Sequence, residues 1–253
     1  MTTTSTAPVH LVLGATGGIG SALARRLAAS GARLVLGGRR ADALDALAAE
    51  TGGVPVHVDA TEPADIDGAV ETAVARFGRL DGAANCVGSL LLKPAHLTKP
   101  EEFDEVIAVN LRSSFALVRA ATRVMMGNAE PAGGSIALVA SAAARIGLAN
   151  HEAIAAAKGG VMGLVLAAAA SYAPKGIRVN GVAPGLVRTP LTARITSSPA
   201  AEQASVAMHA LGRLGDPEDV ATALAWLLDR DGAAFVTGQV IGVDGGLGTV
   251  RSR

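Results

Sequence analysis

Residues 9–30 read VHLVLGATGGIGSALARRLAAS, and this stretch decides the fold. The apolar run over 9–13 predicts a strand buried on both faces. It runs into a glycine cluster, Gly14, Gly17, Gly18 and Gly20, interleaved with Thr16 and Ile19. Apolar residues then recur at helical spacing (Ile19, Leu23, Leu27) until Gly31 stops the helix. A strand, a tight glycine turn and a helix start form a device for holding a diphosphate. The glycines let the backbone approach the ligand, and the helix start offers unpaired N–H groups and partial positive charge. Glycine alone is weak evidence, since the chain has 31 of them; the strand-to-helix context gives the cluster its meaning.

The same alternation continues outward. Strands are predicted over 33–36, 54–58, 81–87, 135–140, 177–182 and 240–243. Helices are predicted over 42–50, 62–77, 101–126, 153–173 and 217–228. Strands that are nearly continuous apolar runs, alternating with helices, imply a parallel sheet covered by helices on both faces. No linker or repeat divides the 253 residues, a length that suits one large α/β domain. Residues 1–8 read as a loose tail and 9–253 as a single domain. The Thr/Ser-rich start lacks the apolar region of a signal peptide.

Formal net charge is zero with 17% charged residues, so nothing advertises a nucleic-acid partner. Only 2% of residues are aromatic, so the core must be built from Ala, Val, Leu and Ile. The single cysteine, Cys86, excludes an internal disulfide and suits a reducing cytoplasm; a buried inert thiol is its simplest state. The most apolar stretch, 161–170, is too short to span a bilayer, and no membrane role is expected. His10, His57, His96 and His209 show no zinc-ligand spacing.

In such sheets ligands sit beyond the carboxyl ends of the strands, so the residues there are the ones to read. The second strand ends Leu36-Gly37-Gly38-Arg39-Arg40, without the carboxylate that would hold a ribose 2′-hydroxyl. Arg39 either pairs with the 2′-phosphate of NADP or is a solvated arginine opening the next helix. Asp59, followed by Ala60, either accepts from the adenine amino group or caps the helix that follows. Asn85-Cys86-Val87-Gly88 makes a small turn that lets the backbone approach the adenosine ribose.

With these motifs assembled, the chain resembles the short-chain dehydrogenase/reductase family from residue 9 to about 247. The resemblance rests on the glycine motif at 14–20, Asp59, Asn85 to Gly88, Asn110, Ser141, Lys158, Pro184-Gly185 and Val243-Asp244-Gly245-Gly246. It implies a Rossmann-type, doubly wound parallel sheet of about seven strands in a single domain. It also implies NAD(P)-dependent hydride transfer between a carbonyl and an alcohol on a small-molecule substrate, in a homotetramer or dimer packed through its long helices. By the same resemblance Val187 meets the nicotinamide carboxamide, and Thr189 its amide or the pyrophosphate. Residues of about 190–212 form a mobile substrate lid.

The catalytic set departs from the family at one place. Ser141, Lys158 and Asn110 match the serine that orients the carbonyl, the lysine that holds the nicotinamide ribose and the asparagine of the proton relay. The tyrosine belongs four residues before Lys158 and thirteen after Ser141, and position 154 is an isoleucine. The only tyrosine, Tyr172, lies fourteen residues beyond Lys158 and cannot substitute. Three explanations follow. His151, seven residues before Lys158 at the spacing of the superfamily's enoyl reductases, supplies the proton, with Glu152 a second possibility. Alternatively the reaction, reduction of a C=C or C=N bond, needs no phenol. In the third, the chain is a catalytically silent nucleotide binder. Against the first stands the plain reading of His151 as a polar residue after an Asn150 cap. Asp216-Pro217 reads as a helix start, and Trp226 and Phe235 as core or subunit-contact residues.

Overall fold

The computed structural model of the chain describes residues 7–250. Its strands are β1 (Val9–Leu13), β2 (Arg33–Gly38), β3 (Val54–His57), β4 (Gly82–Asn85), β5 (Gly134–Val139), β6 (Ile177–Pro184) and β7 (Val240–Val243). They form one sheet in the order β3-β2-β1-β4-β5-β6-β7, every neighbouring pair parallel. The helices are α1 (Gly18–Ala29), α2 (Ala41–Thr51), α3 (Pro63–Phe77), α4 (Pro100–Ile107), α5 (Ser113–Met125), α6 (Glu152–Tyr172), α7 (Pro199–Ala207) and α8 (Pro217–Leu228).

Alternate residues of each strand enter opposite layers. Val9, Leu11 and Leu13 of β1 join Ile66 of α3, Leu117 of α5 and Val161 of α6 in one core. Val12 joins Leu23 of α1, Leu44 of α2 and Leu224 of α8 in the other. Both cores are aliphatic, as the shortage of aromatics requires; the largest fully buried side chains are Leu, Ile and Met. The direction in which successive strands are added reverses between β1 and β4, which pair in parallel from His10–Gly82 to Leu13–Asn85. The crevice of a doubly wound sheet opens at that point, above the carboxyl ends of both strands.

Several expectations change in the structure. The predicted helix over 101–126 is α4 and α5 joined by a π-helical turn, Ala108–Arg112, with Asn110 at its middle. The stretch read as a mobile lid, for which no helix is predicted, contains α7, opened by Ser198, whose hydroxyl accepts from Ala201 N, and by Pro199 in the first turn. Ala7 and Pro8 are not loose. Their carbonyls accept from the Arg33 side chain and backbone N–H respectively. Residues 1–6 of the predicted tail, and 251–253, lie outside the described residues. Phe235 is fully exposed and Trp226 is 40% exposed, so neither is a core residue.

The length argument against a membrane span also needs correction. The helical segment Glu152–Lys175 has 24 residues and a mean hydropathy of 1.8, long and apolar enough to cross a bilayer. Its inner face, with Val161, Val165 and Ala168, is instead built into the sheet core, and Lys158 is embedded in it.

Candidate active site

Gly14 leaves β1 at φ +71°, and a Cβ there would stand 2.8 Å from the backbone of Cys86 and Val87. The glycine turn and the β4 turn therefore touch at the switch point. Gly17 N donates to Gly14 O, and a Cβ on Gly20 would lie 2.2 Å from that same carbonyl. Gly17, the N-cap of α1, has no side chain to satisfy the first amides, from Gly18, Ile19 and Gly20. These are the donors a pyrophosphate requires. Thr189 closes one side of the cradle: a Cβ on Gly18 would meet Thr189 Cγ2 at 2.7 Å.

At the end of β2, Gly37 and Gly38 leave room for Leu13 and Thr16 respectively. Arg39 is exposed, and the neighbouring Arg40, which motif reading passed over, donates from Nη2 to Thr16 O at 2.5 Å. Asp59 does not cap the following helix with its side chain. Its Oδ1 accepts from both the backbone and the hydroxyl of Thr61, which holds its carboxyl below the usual range. Glu62 is the N-cap of α3, while Ala60 is buried beside Asp59.

The β4 turn is braced from within. Asn85, 1% exposed, donates to Ser113 Oγ and Ser114 Oγ and accepts from Val87 N. Its side chain shapes the turn and leaves the turn's outer backbone to a ligand. Asn110 in the π-helical turn clamps the next residue, Ser89, at two points. Its Oδ1 accepts from Ser89 N and its Nδ2 donates to Ser89 Oγ, as well as to Val106 O. Sequence motifs gave no sign of Ser89.

Gly88 lies between this clamp and Lys158. A Cβ on it would be 3.3 Å from Asn110 Oδ1 and 3.8 Å from Lys158 Nζ. Lys158 is 6% exposed; Nζ donates to Val139 O at 2.7 Å, the only protein partner it has among the described residues. Burial without a paired carboxylate lowers its pKa to about 8. Two of its three hydrogens remain for a ligand such as a ribose diol. Neighbouring Cys86 is no counter-ion, because burial pushes its thiol up to about 12. Ser141 follows β5, and its Oγ accepts from Ala143 N, which leaves its hydroxyl proton to donate.

Position 154 sits one helical turn before Lys158. Ile154 is 3% exposed and packs with Val106, Ala153 and Ala157, covered by Leu90, Leu91, Ile107 and Leu111. The place carries an aliphatic plug and no titratable group. His151 is not drawn to Lys158 or Ser141. It occupies the N-cap of α6 itself, replacing the expected Asn150 cap, and Nδ1 lies 2.8 Å from Ala149 O. Seven residues at about 1.5 Å of rise put it about 10 Å along the helix from Lys158, on nearly the same face. Asn150 takes φ +63° instead.

Beyond β6, Gly185 N donates to Val243 O, and buried Val187 bridges to Gly215. Gly185 is thus held against β7 and Val187 against Gly215, while Thr189, two residues on, reaches the glycine turn at Gly18. The profile of the family described as Enoyl-(Acyl carrier protein) reductase matches residues 14–248. A 3-oxoacyl-[acyl-carrier-protein] reductase of Thermotoga maritima is 36% identical over 94% of this chain and 97% of its own. The chain belongs to the short-chain dehydrogenase/reductase family. Cyclohexanol dehydrogenase of Acinetobacter sp. is 39% identical, covering 94% of this chain and 93% of that protein. A short-chain type dehydrogenase/reductase from Mycobacterium ulcerans superposes with a TM-score of 0.90 at 32% identity, over 97% of this chain and 91% of that one. The family consists of oxidoreductases that use NAD(P), so this protein descends from enzymes of that chemistry.

Proposed function

We propose that this protein is an NADP-preferring oxidoreductase acting on a carbonyl, an alcohol or an activated double bond of a small molecule. The observation that carries the reading is Lys158: a buried, unpaired ammonium with two free hydrogens, beside Gly88 at the mouth of a glycine-lined phosphate cradle. Such a charge is costly to bury and is compensated when a polyol takes its free hydrogens. The dinucleotide supplies the hydride when bound.

The chain's own residues divide the remaining work. The open amides of Gly18, Ile19 and Gly20 hold the pyrophosphate. Gly14, Thr16 and Gly17 shape that cradle, and Arg39 meets the 2′-phosphate while Arg40 braces the loop through Thr16. Asp59 and Ala60 flank the adenine; Asn85, Val87 and Gly88 form the ribose turn. Lys158 binds the nicotinamide ribose, with Asn110 fixing the adjacent Ser89 turn. Pro184, Gly185, Val187 and Thr189 face the nicotinamide. Ser141 orients and polarises the reacting group by its free hydroxyl proton.

Ile154 stands where the family has its tyrosine and can exchange no proton. His151 supplies it: with Nδ1 donating to Ala149 O, Nε2 is left to face a substrate one turn beyond Ile154. Residues of about 190–212, with α7 inside them, form the lid. The exposed Phe115 and Leu166 on α5 and α6 support a homo-oligomer, a dimer or tetramer, and a cytoplasmic setting fits the single free thiol.

The plug of Leu90 and Leu91 over Ile154 favours a second reading, a catalytically silent NADP-binding homologue. One experiment separates the two. NADPH is mixed with ketones, acyl thioesters and enoyl thioesters, and loss of its absorbance is followed in the wild type, H151A and I154Y. Turnover abolished in H151A supports the enzyme and its proton donor. Unchanged turnover in H151A removes His151 from that role. No turnover in the wild type, with NADPH still raising the melting temperature, supports the silent binder. Carbonyl reduction appearing only in I154Y identifies the missing phenol as the reason.

A further inference from the structure

The nucleotide and proton roles above leave two buried histidines unused, His10 beside Gly82 of β4 and His209 in the lid segment, and only His209 touches the candidate site. His209 is 3% exposed and lies two residues beyond α7. Its Nδ1 is 2.8 Å from Ser205 O, a carbonyl of α7, and its Nε2 is 3.1 Å from the Leu186 nitrogen. A backbone N–H can only donate, so Nε2 is the acceptor. Nδ1 then carries the proton and donates to Ser205 O. The imidazole is therefore neutral, held in one tautomer, and it spans two segments of chain 23 residues apart.

Leu186 lies between Gly185 and Val187, and its carbonyl accepts from Gly215 N at 2.9 Å. Both polar backbone groups of this residue are thus committed, one of them to a side chain from the lid. Gly185 makes the approach possible, since a Cβ there would stand 2.6 Å from His209 Nε2. Asp244, Arg213 and Asp219 line the same cavity as His209. None competes for the ring: Asp244 accepts from Gly246 N and Gly248 N, and Arg213 and Asp219 pair with each other.

We infer that His209 is a positioning residue that ties the lid helix α7 to the loop carrying Leu186 and Val187. It fixes that loop for the nicotinamide and makes lid and loop move as one body. The inference rests on the reading of residues 185–189 as the nicotinamide-facing loop. A histidine serves because it reaches both partners with one acceptor and one donor; an aliphatic residue of that size would leave the half-buried Leu186 N–H unpaired.

The test uses H209N, whose amide can keep the Ser205 link but stops short of Leu186, and H209Q, whose Oε1 falls near the place of Nε2. Amide hydrogen exchange at Leu186 is read in the nucleotide-free protein, with the amides of β1 as the control for global stability. NADP+ affinity is read by calorimetry. The expected result is faster exchange at Leu186 in H209N with β1 unchanged, and NADP+ binding weaker by about tenfold, the scale of reordering one or two loop residues. H209Q restores both. Leu186 protection and NADP+ affinity retained in H209N overturns the role. So does a loss of equal size in H209Q, which would mean that ring shape and not the acceptor matters. A wild type that binds no nucleotide sinks the site reading instead, while the Leu186 exchange still reports whether the bridge exists.

Discussion

Two buried nitrogens set the chain's response to pH and charge. Desolvation lowers His10 to about 4, against the pull of Asp81 and Asp229, and its Nδ1 has no partner in a space opened by Gly82. The folded state holds this ring neutral while the unfolded state takes up a proton below about 6.5. Stability from this group is complete above that value and is lost as pH falls towards 4, by about 3 kcal/mol in full. Denaturant titrations from pH 7 to 4 check this: wild type loses that much more than H10L, and parallel profiles contradict it. Lys158 is lowered in the same sense, its charge costing stability at neutral pH. K158M is therefore expected to unfold at no lower denaturant concentration than wild type, yet to lose NADP+ binding by about tenfold or more, read by calorimetry. A variant that is less stable but binds normally contradicts the assignment. Ser141, Asn110 and Lys158 were picked out by resemblance to the family's motifs. Arg40 and Ser89 were not, because the direction of an arginine past a strand end, or the partner of a turn hydroxyl, depends on residues 24 and 21 positions away.

At the scale of elements, glycine separates two kinds of helix surface. In α1 a Cβ on Gly20 would run into Gly14 O, so G20A is expected to cost about 3 kcal/mol or more and to abolish nucleotide binding. In α6 Gly159 and Gly163 have nothing within 4 Å, and alanine at either is expected to stabilise the isolated subunit by about 1 kcal/mol. If a second copy packs on that face, G163L leaves the subunit folded but divides the oligomer, read by light scattering; an unchanged mass contradicts α6 as the contact. The strands were legible as nearly continuous apolar runs, and the other helices as segments with apolar residues at helical spacing or rich in alanine. Two departures were hidden. The π-helical turn at Asn110 lies inside an uninterrupted helical pattern, and α7 is a polar, Ala-rich helix whose only sequence signal is Ser198-Pro199.

For the whole molecule, the parallel sheet follows from the alternation of strands and helices, and the crevice from the strand order seen in the structure. What alternation leaves unsaid is which apolar residues are surface: Phe235 and Trp226 read equally as core or subunit-contact residues, and both are exposed on the described subunit. The central claim belongs to this scale, because the cradle draws on β1, α1, β2, β4 and α6 at once. A nucleotide at a hundred times its dissociation constant adds about 2.7 kcal/mol to the folded state. The most direct measurement is calorimetric titration of the folded protein with NADP+ and NAD+, in wild type and R39A. NADP+ is expected to bind more tightly by about tenfold, the worth of one arginine–phosphate pair, with the gap closing in R39A. No heat with either nucleotide at millimolar concentration would contradict the account.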